Sequence, residues 1–243
     1  MIGREFLEET TYPYLGPSDQ AKGIPQPPLQ LEPDRDRQLL IDLPPPQEAP
    51  RLQLPLAAAI DLRTSVRSYS AAPLTIRELS WLLWCTQGVK EVILRQATLR
   101  TVPSAGARHA LETYLLVNRV AGLGPGLYRF IAIGHQLLEI DRPQEPGPFI
   151  RAACLGQEMV TDSAVTFIWT AVINRMTWRY GQRGYRYVFL DAGHACQNLY
   201  LAAQDVDCGV CAVAAFDDGA MNRILGINPE EQFTLYLATL GKR

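Results

Sequence analysis

Lysine is almost missing from this chain of 243 residues: Lys22, Lys90 and Lys242 are the whole set, and the rest of its 23 basic residues are arginine. Genome composition explains most such biases, but the choice has a chemical consequence. Arginine keeps its charge and meets phosphate or carboxylate with a two-pronged fork. A charge excess is also lacking, since 25 acidic residues leave a formal net charge of −2. That excludes a general nucleic-acid binder and an acidic disordered tail. The longest apolar stretch, residues 164–173, falls far short of the ~20 residues a membrane span needs. The first nine residues carry acids and no apolar core, unlike a secretory leader. Histidines number 3 and cysteines 5, an odd and scattered set. That is no disulfide framework, and it fits a reducing compartment. The expectation is a soluble, cytoplasmic protein with no metal.

What is present divides in two. Half of the 18 prolines fall between Pro25 and Pro55, and proline has no N–H to give a helix or sheet. Residues 1–53 therefore read as an N-terminal segment with an extended, proline-rich arm that lies along a surface of its own domain or of a partner. The domain proper is 54–243. Within it Thr75-Ile-Arg-Glu78 is a capping box, and Leu79, Leu82, Leu83 and Thr86 share one face of the helix behind it. Strands are expected at 113–117, 164–173, 210–215 and 234–239, with a hairpin at 127–133 and 136–140. Helices are expected at 149–158 and 219–225, and a long one at 185–205. In that long helix positions 185, 188, 189, 192, 195, 196, 199, 202 and 203 make a wide apolar stripe, as a core or subunit-interface helix requires. Helices and strands without regular alternation make the class α+β.

Three motifs do not hold. The loop 122–126 (GLGPG) follows a strand but precedes another strand, so no helix N-terminus receives a pyrophosphate. Cys208-Gly-Val-Cys211 has no second ligand pair and reads as two buried thiols. His194 and Cys196 stand two apart on one helix and point in different directions, which excludes a dyad.

Arg63-Thr-Ser-Val-Arg67 is different, because it sets two guanidiniums around the Ser65 hydroxyl. Lys242 and Arg243 follow a buried strand at the other end of the domain. Together these cations can neutralise a phosphate of roughly −2 charge.

At this point the sequence resembles the FMN-dependent nitroreductase superfamily, and within it the SagB-type dehydrogenases that oxidise azolines in peptides. The resemblance is carried in order by RTSVRSY (63–69), LSWLLWCTQGV (79–89), VPSAGARHALETYLLV (102–117), PGLYRF (125–130), RYGQRGYRYVFLDAGHACQNLYLAAQ (179–204), CGVCAVAAFDD (208–218) and LYLATLGKR (235–243). It implies a nitroreductase-like α+β fold, with a central mixed sheet flanked by helices in an intertwined homodimer. It implies FMN held by Arg63, Ser65 and Arg67, with Gln87 and Gly88 near its ribityl chain. Pro103, Ser104, Ala105 and Gly106 would reach the flavin ring from the second subunit. Ala214 and Ala215 would offer backbone N–H groups toward N5, and Lys242 with Arg243 would close on the phosphate. Azoline-oxidising relatives use a Lys–Tyr pair where this chain has Arg179 and Tyr180. Arginine, with a pKa above about 12, is a poor base, whereas Tyr180 retains an acid–base function. The resemblance thus implies hydride transfer between flavin N5 and a small-molecule or modified-peptide substrate, with a peptide-modifying cyclodehydratase complex as candidate partner. An NAD(P)H-dependent nitroreductase and a catalytically silent flavin-fold scaffold are the alternatives.

Overall fold

The run VTFIWTAV carries no charge and is rich in β-branched and aromatic residues, the composition of a strand covered on both faces. In the computed structural model, which describes residues 1–33, 39–94, 96–140 and 145–243, every residue of this strand is buried. In chain order the helices are α1 (Ile2–Glu9), α2 (Leu56–Leu62), α3 (Ile76–Gln87), α4 (Pro146–Ala153), α5 (Met159–Asp162), α6 (Asn174–Tyr180), α7 (Gly184–Asp205) and α8 (Asp218–Leu225). The strands are β1 (Leu40–Asp42), β2 (Leu74–Thr75), β3 (Val89–Ile93), β4 (Ala97–Arg100), β5 (Leu111–Val117), β6 (Val120–Ala121), β7 (Gly126–Ile131), β8 (Gln136–Ile140), β9 (Val165–Val172), β10 (Cys208–Val213) and β11 (Gln232–Lys242). The fold is α+β.

Seven strands form one sheet in the order β1-β8-β7-β5-β9-β11-β10. Its pairings are antiparallel. The parallel component is a single bridge at the outer edge, Ser65 to Val210. One face of the sheet packs Leu115, Phe167 and Trp169 under α3 and α7, through Leu79, Leu82, Leu83, Val188, Ala192 and Leu199. The other face packs Leu116 and Leu127 under α4, α5 and α8, through Ile150, Val160 and Met221. Each fully buried aliphatic or aromatic side chain contributes about 2 kcal/mol, so the two layers fix the sheet that carries the site.

The capping box is present: Thr75 Oγ1 accepts from Glu78 N at 3.2 Å, and Glu78 Oε2 accepts from Thr75 N at 2.8 Å. The long helix α7 begins one residue before the expected start. Its stripe is buried except at Tyr185, which is half-buried, and at Phe189, which with Leu190 is exposed at 56% and 59%. The expected helix 149–158 stops short: α4 ends at Ala153, because Leu155 and Gly156 adopt left-handed φ of 57° and 78°, and α5 begins only at Met159.

The proline-rich arm lies on its own domain. β1 pairs with β8 at the sheet edge, and Leu52 N bonds to Asp205 O at 2.8 Å. Further back, the buried Glu112 carboxylate accepts from Leu31 N at 2.9 Å, while Arg129 Nη1 donates to Leu31 O at 2.9 Å. Arg175 Nη2 also reaches Glu112, at 2.7 Å. A buried carboxylate shared by two guanidiniums and a backbone N–H is satisfied in a way a lone one is not, and here it clasps the arm.

Candidate functional site

The segment 63–70 lies across one end of the β10–β11 pair. Two glycines make that possible. Gly209 and Gly241 sit opposite each other in the ladder; a Cβ on Gly209 would come within 2.5 Å of Val66 Cβ, and one on Gly241 within 2.9 Å of the Tyr69 ring. Val66 N donates to Val210 O and Ser70 N to Lys242 O, both at 2.9 Å. Tyr69 is anchored beneath, its hydroxyl donating to Val66 O at 2.8 Å and lying 2.7 Å from Thr239 Oγ1. On the helix side Tyr200 is the tie, its hydroxyl 3.0 Å from Ser65 Oγ and accepting from Ala212 N at 2.8 Å. The Arg63 guanidinium stands 5.5 Å from the Tyr200 ring centre.

This arrangement leaves a cradle. Arg63 and Arg67 make no ion pair with a carboxylate of the described residues, and Ser65 and Arg67 are exposed. Ala214 and Ala215 follow β10, also exposed, and their N–H groups have no backbone partner among the described residues. Two uncompensated guanidiniums beside a hydroxyl suit a phosphate dianion, so the donor set fits an FMN phosphate. Lys242 and Arg243 lie at the same end of the sheet but are already engaged. Lys242 Nζ donates to Glu78 Oε1 at 2.6 Å and to Val206 O at 2.7 Å, and Arg243 bonds to Gln204. Gln87 turns inward, its Oε1 accepting from the buried Arg100 at 2.9 Å.

Pro103, Ser104, Ala105 and Gly106 form a second cluster with Arg179 and Tyr180. A Cβ on Gly106 would meet the Tyr180 hydroxyl at 2.4 Å and Arg179 Nε at 3.1 Å. The loop's backbone is left-handed at Gly106, Ala107 and His109, with φ of 56°, 54° and 44°. Such conformations cost about 1 kcal/mol or more at each non-glycine position, so the surroundings must impose them. Ser104 Oγ accepts from His109 N at 2.9 Å, and Arg108 stacks 5.3 Å from the Trp178 ring. Asp191, on α7, faces Ser104 and Ala105. Burial pushes its carboxyl up to about 6, although the Ser104 hydroxyl, the Ala105 N–H and His194 oppose the rise. Its Oδ2 is buried with no hydrogen-bond partner.

Tyr200 holds the cradle and Asp191 holds the loop, and both are on α7. Nine residues of helix separate them by about 13 Å along the axis and by about half a turn in direction. The two anchors thus leave α7 on opposite sides, and no hydrogen bond or ion pair of the described residues joins the clusters. The sequence indicated the arginines, the loop and the Arg179–Tyr180 pair. It did not single out Tyr200, Asp191, Gly209 or Gly241, whose partners lie far away in sequence. Cys208 and Cys211 face opposite sides of the sheet, one in each core layer, which precludes a disulfide between them. Burial raises both thiols, Cys208 to about 12.

Among the described residues no helix is long and apolar enough to cross a membrane, and no group of side chains could hold a metal ion. The Nitroreductase family matches residues 60–242. The nitroreductase-type protein MJ1384 of Methanocaldococcus jannaschii is 37% identical over 181 residues, covering 74% of this chain and 87% of that protein. The trifolitoxin-processing protein TfxB of Rhizobium leguminosarum bv. trifolii is 26% identical over 180 residues, or 72% of this chain and 45% of TfxB. A crystal structure of a nitroreductase-type protein from Anabaena variabilis superposes with a TM-score of 0.70 at 30% identity, over 84% of this chain and 42% of that one. The chain thus spans less than half the length of two of these three proteins.

Proposed function

The chain belongs to the nitroreductase family of oxidoreductases, and from that premise we propose that it works as an FMN-dependent homodimer of the SagB type, oxidising a modified peptide. The observation that carries this reading is the division of the site by α7. The cradle of Arg63, Ser65 and Arg67 and the loop of Pro103, Ser104, Ala105 and Gly106 are anchored on opposite sides of α7, which supports their serving different ligand molecules within one chain. Two copies related by a twofold axis would then share each ligand, with the cradle from one and the loop from the other, which makes two equal sites. The exposed Phe189 and Leu190 on α7, with Leu56 and Ile60 on α2, supply apolar surface for that contact.

Bound FMN would supply a hydride acceptor and donor at N5. The residues' own work is to position and neutralise. Arg63, Ser65 and Arg67 would grip the phosphate, and the Ala214 and Ala215 N–H groups would orient the ring. Arg179 and Tyr180 would lie beside the reacting edge, next to Gly106. The likeness to TfxB, a trifolitoxin-processing protein by name, supports a processing role on a modified-peptide substrate, and with it a partner enzyme that forms the azoline.

Purified protein should be yellow, carry about one FMN per chain and sediment as a dimer. A thiazoline peptide should bleach the flavin, with oxygen restoring it. Protein that stays colourless and monomeric with added FMN would overturn the reading. The likeness to MJ1384, of which the chain covers 87%, favours a second reading, an NAD(P)H-dependent nitroreductase. Stopped-flow reduction separates the two: bleaching by NADPH but not by the peptide selects the second.

A further inference from the structure

An arginine at position 179 leaves the site without an obvious group to handle a proton. Arg179 cannot give one up at any working pH. No hydrogen bond from the described residues reaches the Tyr180 hydroxyl, which lodges against Gly106. One turn into α7 the situation changes. Arg183 Nε donates to the Tyr187 hydroxyl at 2.7 Å, and the Tyr12 hydroxyl lies 3.5 Å from it. The Tyr187 ring meets that of Tyr180 edge-on, with centres 4.9 Å apart and planes at 85°. Arg183 also covers Tyr12, at 4.6 Å from its ring centre. Tyr12 comes from the N-terminal segment, which is bound here by charge and not by packing: Arg183 Nη1 donates to Thr10 O at 2.9 Å, Arg186 Nε to Thr10 Oγ1 at 2.6 Å, and Arg186 also to Leu7 O. No residue of α1 is buried.

We propose that Tyr187 is the acid–base residue of this site, with Arg183 and Tyr12 as the residues that position its hydroxyl and balance its phenolate. The inference rests on the preceding reading of a flavin oxidoreductase. A substrate that becomes aromatic by losing hydride must also lose a proton. In that step a bond to hydrogen on the substrate breaks with its electron pair left behind, and the Tyr187 Oη–H bond forms. The hydride acceptor is the flavin of the preceding reading. The groups facing Tyr187 favour its ionised form. Burial alone would raise its pKa, but hydrogen bonds from Tyr12 and Arg183 and the charges of Arg183 and Arg186 outweigh that and lower it. Tyr12 shifts upward, chiefly through its hydrogen bond to Tyr187, as the donor in such a pair should.

Two measurements on the full chain test this. The first is ultraviolet titration of tyrosinate, which needs no flavin. One phenol should ionise at a lower pH than the others. It should vanish in Tyr187→Phe and move to higher pH in Arg183→Gln, and by less in Tyr12→Phe, which alters only an exposed hydroxyl. The second is the rate of flavin bleaching by a thiazoline peptide against pH. Tyr187→Phe should slow it about a hundredfold and abolish its alkaline-side rise, with FMN content unchanged. Absence of a low-titrating phenol overturns the proposal. So does an unchanged pH profile in Tyr187→Phe, with the flavin reading left standing. Bleaching by NADPH alone overturns it too, because NADPH gives up a hydride without a proton. Colourless protein overturns the flavin reading and this inference with it, and is recognised before any titration.

Discussion

The two clusters carried by α7 are built by opposite means. The arginine cradle is tied to the sheet: its segment is bonded to β10 and β11, seated on two glycines and fastened by the hydroxyls of Tyr69 and Tyr200. The loop 103–109 has no such backing. It is held in left-handed backbone by a partly unsatisfied buried carboxylate and a stacked arginine, and beyond it lies a helix held by arginine side chains. The part that would grip a phosphate is bonded directly to the sheet, while the part that would meet a substrate draws on contacts that can open locally. Gripping needs fixed charges, whereas admitting and releasing a substrate needs a surface that gives.

That contrast can be broken from either side. The largest effect is expected from Gly209→Val, which drives a side chain into Val66 where even a Cβ would be 2.5 Å away. It should cost about 3 kcal/mol or more, lower the melting temperature by roughly 10 °C and abolish flavin retention. A melt and an absorbance spectrum of the same sample report both.

Next is Asp191→Asn, which probes the loop. The folded carboxyl titrates near 6, above its ordinary value of 3.8, so the folded state holds its proton more tightly than the unfolded chain. Stability from this group is therefore fully present below about pH 4 and is lost as pH rises through 6, by up to about 3 kcal/mol. The Asn variant should lack that component, so its melting temperature should overtake the wild type's as pH rises from 4 to 7. Parallel curves would show that the carboxylate is not strained.

Arg67→Ala should weaken FMN binding at least tenfold, about 1.4 kcal/mol, and leave the melting temperature of the flavin-free protein unchanged. Gel filtration with flavin absorbance measures it. Equal retention would move the phosphate elsewhere. The smallest effect belongs to Arg186→Ala, expected at about 0.5 kcal/mol or less in global stability. Its visible consequence should be faster amide exchange confined to α1.

How far the sequence foretells this protein depends on the reach of each signal. The capping box at Thr75, the hairpin and the buried strand β9 are local patterns, and each stands where the pattern put it. Local patterns misjudge what distant partners decide. Phe189 belongs to an apolar stripe whose period cannot tell a core from a subunit interface, and in the fold it is exposed. Leu155 and Gly156 break a helix through backbone angles that their side chains do not announce. The site divides in the same way. Arg63, Ser65 and Arg67 can be read from spacing, but Tyr200 acts on Ser65 from 135 residues away. Lys242 stands 164 residues from the Glu78 that holds it. Both pairings exist only after the sheet has formed.

The clasp on the proline-rich arm sets a timetable. Leu31 bonds to Glu112 and Arg129, which follow it by 81 and 98 residues. On a ribosome adding about 5 to 20 residues per second, the arm is made roughly 4 to 16 seconds before the carboxylate that will hold it. It must wait without misjoining, and a run of prolines that cannot donate to a stray strand edge suits that interval. Docking of the arm should then be a late event of biogenesis, completed after β5 and β7 have emerged and paired.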